Sequence, residues 1–130
     1  MDKRTILVVE DEKPLLSAIK MTFEKKDFIV FTARTVEEAL KHLNEAEHID
    51  AIWLDHYLLG AEDGIDFVTI IKNGEGKWKK IPIFVVSNTA SDEKVQSYIR
   101  LGVNKYYIKV EHKLEDLARE VELSIEHPEE

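Results

Sequence analysis

The sequence predicts an α/β fold: a five-stranded parallel sheet, doubly wound, with helices on both faces. Three observations carry this. Five short, largely β-branched apolar runs alternate with stretches whose apolar residues recur at helical spacing. The runs are apolar at consecutive positions, as in strands buried on both faces. All but the second end at a candidate functional group, and the ends of parallel strands share the edge where open α/β sheets place their chemistry. Crossovers should be right-handed.

The first run is Thr5-Ile6-Leu7-Val8-Val9, stopped by Glu10-Asp11-Glu12. Pro14 suits the first turn of a helix, where its missing N–H costs nothing. Leu15, Leu16, Ile19 and Phe23 give that helix an apolar face, with Lys20, Glu24, Lys25 and Lys26 opposite. Phe28 to Ala33 is the second strand. Thr35-Val36-Glu37-Glu38 has the pattern of a capping box, ahead of a helix with Val36, Ala39, Leu40 and Leu43 on one face. The third strand is Ala51-Ile52-Trp53-Leu54, ending at Asp55. The loop from His56 to Gly64 leads to a helix with Ile65, Phe67, Val68 and Ile71. That helix stops near Asn73-Gly74-Glu75-Gly76. Ile81 to Val86 is the fourth strand, with Pro82 tolerated near its start, and it runs into Ser87-Asn88-Thr89. Ser91 or Asp92 caps a helix carrying Val95, Tyr98, Ile99 and Leu101, and Gly102 closes it. Asn104 to Ile108 is the fifth strand, ending at Lys109. Leu114, Leu117, Ala118, Val121 and Ile125 mark the last helix, and the tail from His127 should fray.

Composition narrows the function classes. At 130 residues the chain has the length of one domain, taken as 1–130, and needs no staples. It has no cysteine, so neither disulfides nor a thiolate metal site is available. The formal charge of −8 argues against a nucleic-acid-binding face. The basic cluster Lys77-Trp78-Lys79-Lys80 reads as a solvated loop. The apolar run before Glu10 is too short for a signal-peptide core or a membrane span, so a cytoplasmic location without membrane insertion is expected.

The strand ends form the candidate site. Glu10 and Asp11 end the first strand, Asp55 the third, Ser87 the fourth and Lys109 the fifth. Two carboxylates about 5 Å apart repel by roughly 3 kcal/mol at an effective dielectric near 20. Three together call for a cation, and hard oxygen donors suit Mg²⁺. A carboxylate beside a metal and a lysine describes a phosphoryl-transfer site, in which the carboxylate can be the nucleophile. Two other classes fit less well. A flavodoxin-like cofactor binder would need a phosphate-cradling loop after the first strand, where the acidic Glu10-Asp11-Glu12 stands. An aspartate-based phosphatase or mutase would want a second carboxylate close behind the first, and Asp55-His56-Tyr57 has none.

Ile6-Leu7-Val8-Val9-Glu10-Asp11-Glu12, Leu54-Asp55, Val85-Val86-Ser87 and Tyr106-Tyr107-Ile108-Lys109, in that order, resemble the response-regulator receiver domain of two-component signalling over about residues 4–126. The resemblance implies a flavodoxin-like (βα)5 sheet in the order 2-1-3-4-5. It implies that Asp55 takes a phosphoryl group from the phosphohistidine of a sensor histidine kinase or phosphotransfer protein. Asp11 and Asp55 would ligate Mg²⁺, Glu10 would assist through water, and the Tyr57 backbone carbonyl would be a further ligand. Ser87 and Lys109 would bind phosphoryl oxygens, and Tyr106 would be an aromatic switch that turns inward as Ser87 moves. Such a domain is a self-modifying acceptor, not a turnover enzyme. The sequence shows no output pattern after residue 126, so a downstream protein should read the face of the fourth helix, fifth strand and fifth helix, including Lys94, Ser97, Arg100, Tyr106 and His112. A monomer or a weak phosphorylation-dependent dimer is expected.

The sequence departs from the family at Val110 and Leu59, where proline is usual, and at Asn88, where a small residue is usual. These departures keep open a receiver-like interaction module that is never phosphorylated. Glu12 reads as a charge at a helix N-terminus. His56 reads as a loop residue, His42, His48, His112 and His127 as scattered surface residues, and Trp53 and Trp78 as packing groups.

Overall fold

A computed structural model describes residues 3–74, 76–88 and 91–127. Glu75, Thr89, Ala90 and the tail Pro128 to Glu130, for which fraying was expected, lie outside the described residues. The elements run β1 (Thr5–Val9), α1 (Lys13–Lys25), β2 (Ile29–Ala33), α2 (Val36–Glu45), β3 (Ala51–Leu54), α3 (Gly64–Asn73), β4 (Ile83–Ser87), α4 (Asp92–Leu101), β5 (Lys105–Ile108) and α5 (Leu114–Glu126). The strands form one parallel sheet in the order β2-β1-β3-β4-β5.

The consecutive apolar runs follow from two cores, one on each face. Leu7, Val9, Ile52, Leu54, Ile83 and Val85 point to the face covered by Val36, Ala39 and Leu43 of α2, Phe67, Val68 and Ile71 of α3, and Tyr98 of α4. The alternate residues Ile6, Val8, Ala51, Trp53, Phe84 and Val86 meet Ile19 and Phe23 of α1 and Leu117, Ala118 and Val121 of α5. Trp53 is 1 % exposed and lies edge-on to Phe23, with ring centroids 5.7 Å apart. The central strands β1, β3 and β4 are buried throughout, whereas the edge strands β2 and β5 are partly exposed.

Register places the strand ends. Val9 pairs with Ala33 on one side and Leu54 on the other, so Glu10 and Asp55 are each the next residue beyond one rung. Two further bonds extend the ladder at this edge: the Asp55 N–H donates to the Val9 carbonyl (2.9 Å) and the Glu10 N–H to the Ala33 carbonyl (3.0 Å). Ser87 pairs with Ile108, which puts Lys109 one step past Ser87 at the same edge.

Several boundaries differ from the sequence reading for local reasons. Phe28 precedes β2 because its N–H closes the end of α1 onto the Phe23 carbonyl, after Asp27 at φ 71°. Ile81 precedes β4 because its N–H closes a short 3₁₀ turn over Lys77–Lys80 onto Trp78. The basic cluster is therefore a turn, and Trp78 packs against a core. Thr35 accepts the Glu38 N–H, but the Glu38 carboxylate takes the Arg34 N–H, so the box closes one residue early. The complete capping box is the one the sequence reading missed, between Asp63 and Asp66 at the start of α3. Ser91 caps α4, and Gly102 at φ 97° closes it in the left-handed conformation open to glycine. Among the described residues no helix is long and apolar enough to cross a membrane.

One glycine is fixed by a close approach. A Cβ on Gly64, the first residue of α3, would run into the hydroxyl of Tyr98, which is fully buried on α4. Gly64→Ala is therefore expected to cost about 1–3 kcal/mol of stability by overpacking, measured by urea unfolding. Adding Tyr98→Phe, which removes the obstructing oxygen, should recover part of that loss. Strict additivity of the two changes would refute the contact.

Candidate functional site

The carboxyl edge of the sheet gathers the acids. One carboxylate oxygen each from Glu10, Asp11 and Asp55 lies within 4.8 Å of the others. Glu10 is fully buried and Asp55 is 4 % exposed, while Asp11 is half-buried. Lys109 leaves β5 at the start of a 3₁₀ turn (Lys109–Glu111) and lays its Nζ 3.2 Å from Glu10 Oε1 and 3.5 Å from Asp55 Oδ2. The second oxygens are engaged by backbone. Glu10 Oε2 accepts the Glu12 N–H (3.1 Å) and Asp55 Oδ1 accepts the His56 N–H (2.8 Å). Arg34 donates through Nε to the Asp11 carbonyl, which ties the loop after β1 to the end of β2 (2.9 Å).

The electrostatics follow from burial and from two acids, Glu10 and Asp55, facing one ammonium. Burial, and then the charge of Asp55, push Glu10 up to about 7 against the weaker pull of its backbone bond and Lys109. Burial draws Lys109 down, but the charges of Asp55 and Glu10 outweigh it and hold the ammonium above its ordinary value. The donor set is hard oxygen with a surplus of negative charge. Octahedral Mg²⁺ takes oxygens at about 2.1 Å, so neighbouring ligands sit about 3 Å and opposite ones about 4.2 Å apart, and side-chain adjustment with a water between Glu10 and the ion would close the cluster on it. The residues present fit a small divalent cation.

Ser87 is fully buried at the end of β4. Its hydroxyl hydrogen-bonds the Tyr106 phenol, which burial raises and this bond lowers. The Tyr106 ring is half-buried and sits 5.6 Å from the Tyr98 ring, so in this structure it is turned toward the core side. Tyr57, two residues past Asp55, is 55 % exposed, with its ring edge-on to His56 at 4.7 Å.

The two departures at the mouth of the site meet each other. Asn88 Oδ1 accepts the Val110 N–H at 2.9 Å, joining the loops after β4 and β5. Proline at 110 has no N–H to give, and a small residue at 88 has no amide oxygen to receive it. Among the described residues there is no cis peptide bond.

One surface assignment, that of His42, needs correction, and His56, expected as a loop residue, is buried. His56 does lie in a loop but is 1 % exposed, because α4 folds over it. Its Nδ1 lies 2.6 Å from the Tyr98 hydroxyl and its Nε2 3.2 Å from Lys94 Nζ. Burial holds His56 below its ordinary value. Lys94 accordingly turns toward His56, not to the open face of α4. His42 is half-buried, with Nε2 2.9 Å from the Thr32 carbonyl and its ring against Phe31. His48 and His112 are exposed, as expected. Nothing near His56 in sequence signals its burial. The available clue was Tyr98 at an apolar position of a helix packed over the same edge.

Residues 6–122 match the family model described as response regulator receiver domain. The chain is 31% identical over 120 residues to the transcriptional regulatory protein YvrH of Bacillus subtilis, covering 92% of this chain and 48% of that protein. It is 31% identical over 106 residues to the phosphate regulon transcriptional regulatory protein PhoB of Escherichia coli, covering 82% of this chain and 45% of that protein. The chain thus spans about half the length of these relatives. The phosphorylated cyanobacterial phytochrome response regulator RcpA superposes with a TM-score of 0.86 at 24% identity, covering 99% of this chain and 98% of that one, and shares the fold.

The raised Glu10 acid makes metal-free stability depend on pH. The native state keeps a proton that the unfolded chain releases between 4.5 and about 7, so this contribution is present in acid and lost as pH rises through that interval. His56, held low, acts oppositely below 6.5, which makes a difference measurement the clean one. From pH 5 to pH 8 in EDTA, wild type should lose about 3 kcal/mol relative to Glu10→Gln in urea unfolding. A pH-independent difference between the two proteins would mean that Glu10 ionises normally.

Proposed function

The chain belongs to the response regulator receiver domain family, and on that premise we propose that residues 1–130 form one receiver domain that acts as a phosphorylation-activated switch with Asp55 as the acceptor. Receiver domains are phosphoacceptor signalling domains that interact with histidine kinases or phosphotransfer proteins. The observation that carries the specific reading is Lys109 bridging Glu10 and Asp55 beside a third carboxylate, with all three acids inside 4.8 Å.

In the proposed reaction an Asp55 carboxylate oxygen attacks the phosphorus of a phosphohistidine. The O–P bond forms, the P–N bond breaks and the imidazole leaves with the electron pair to take up a proton. Glu10, Asp11, Asp55 and the Tyr57 carbonyl would hold Mg²⁺, which supplies charge neutralisation of the phosphoryl oxygens when bound. Lys109 already faces Asp55 Oδ2 at 3.5 Å and is placed to pair with a phosphoryl oxygen. Ser87 would give up its bond to Tyr106 to reach another; the ring, expected to turn inward at that step, already lies on the core side, so loss of the bond would release it instead and couple the acceptor to the α4-β5-α5 face. A downstream protein would read that face. The switch would work in the cytoplasm without direct nucleic-acid contact or membrane insertion, as a monomer or a weak phosphorylation-dependent dimer. A constitutive, non-phosphorylated interaction module is the second reading. It draws on the Asn88–Val110 tie across the mouth.

Incubation with acetyl phosphate and Mg²⁺ should add one phosphoryl mass to wild type and none to Asp55→Asn. Beryllofluoride with Mg²⁺ should move amide resonances from residue 91 to residue 112. Mass gain that persists in Asp55→Asn, or needs no metal, would take the acceptor role from Asp55, and no gain in wild type would sink the switch and leave the constitutive module. Once formed, the phosphoprotein should decay faster in Tyr57→Ala, which uncovers the acceptor to water, and an unchanged half-life would remove Tyr57 from that role.

A further inference from the structure

His56 sits where the loop after β3, the start of α3 and the middle of α4 meet, and the proposed transfer gives it no part. Its ring is held by α4. The Tyr98 hydroxyl is 2.6 Å from Nδ1 and Lys94 Nζ is 3.2 Å from Nε2, with Asp63 Oδ2 3.8 Å from the same nitrogen. An ammonium only donates, so Nε2 offers its lone pair to Lys94 and the ring proton lies on Nδ1, directed at the Tyr98 oxygen. The backbone of the same residue holds other groups. Its N–H donates to Asp55 Oδ1 (2.8 Å) and its carbonyl accepts the N–H of Gly64 (2.9 Å). Tyr98 is fully buried and packs edge-on to His56 at 5.7 Å.

We infer that Tyr98 and Lys94 are positioning residues for the acceptor: through the His56 ring, α4 fixes the peptide whose N–H holds Asp55 Oδ1 and so keeps Oδ2 turned to Lys109. The inference rests on Asp55 being the acceptor. It follows from the demands of in-line transfer. Little covalent work falls to the protein in phosphoryl transfer, so the rate depends on where the nucleophilic oxygen is held. A carboxylate is free to rotate about its last bond, and a backbone N–H on one oxygen removes that freedom only if the peptide itself is fixed. Here the peptide is anchored by a buried ring with a partner on each nitrogen. The alternative is that Tyr98 and His56 only fill space, in which case losing one phenolic oxygen would alter stability and leave Asp55 unaffected.

The test uses the full chain with Tyr98→Phe, which keeps the ring, Lys94→Met, which keeps the stem, Lys94→Arg, which keeps the charge, and Gln96→Ala, an exposed control on α4. The readouts are the rate of Asp55 labelling by acetyl phosphate with Mg²⁺, the proton shift of the His56 amide and the thermal midpoint. Labelling should slow roughly tenfold in Tyr98→Phe and fall in Lys94→Met, with the His56 amide moving upfield in both. Lys94→Arg and Gln96→Ala should behave as wild type. Wild-type labelling and an unmoved His56 amide in Tyr98→Phe and Lys94→Met would overturn the inference, whatever happens to the thermal midpoint. If Tyr98→Phe does not fold, Lys94→Met decides alone. If wild type itself is not labelled, the acceptor reading fails and the amide shift judges the α4 hold on Asp55 by itself: moved upholds it, unmoved ends it.

Discussion

A surplus of negative charge, buried at one edge of the sheet, governs this fold's business end. Glu10 has no access to water, Asp55 has little, and Lys109 spans the two. An ammonium midway between two carboxylates offsets their repulsion, but Asp11 adds a third charge within 4.8 Å. Burial, and then the charge of Asp55, make Glu10 hold its proton to about 7 when no other cation is supplied. A buried pair of this kind is weak evidence for stability, because desolvation takes back much of the attraction. Receiver domains bind Mg²⁺ at an acidic pocket, and the surplus of charge among Glu10, Asp11 and Asp55 fits such an ion.

The surrounding loops carry that constraint outward. Ser87 shares its hydroxyl with Tyr106, so a ligand that engages Ser87 competes with the tyrosine. Asn88 and Val110 depart from the family pattern together and hydrogen-bond each other, so the loops at the mouth are joined by an amide–backbone bond unavailable to the usual residues. His56 joins the loop after β3 to α4 through two ring nitrogens and joins Asp55 to the same loop through its N–H. The Ser87 and His56 ties link partly exposed elements to the buried sheet edge around Asp55. That is the physical requirement for a local chemical change to be read at a distance.

Much of this was legible from residue order alone. The consecutive apolar residues of β1, β3 and β4 implied strands covered on both faces, and the two cores show why: alternate residues go to opposite layers and all are dry. Parallel strands put their carboxyl ends on one edge, so Glu10, Asp11, Asp55, Ser87 and Lys109 could be assembled from strand ends before any coordinate. The capping box of α3 was equally local and was overlooked because Asp63 and Asp66 sat in what read as a loop running into a helix.

What the sequence determined by itself was periodicity and order, because backbone hydrogen bonding and burial on a strand or helix depend on neighbours a few residues away. What the tertiary structure decided was which side chains close over the site. His56 and Tyr98 are 42 residues apart, Asn88 and Val110 are 22 apart, and Lys94 could have faced water as readily as His56. Those contacts depend on how α4 settles against the loop after β3 and how the last two loops approach each other. Packing of distant elements fixes both, and no spacing along the chain encodes them.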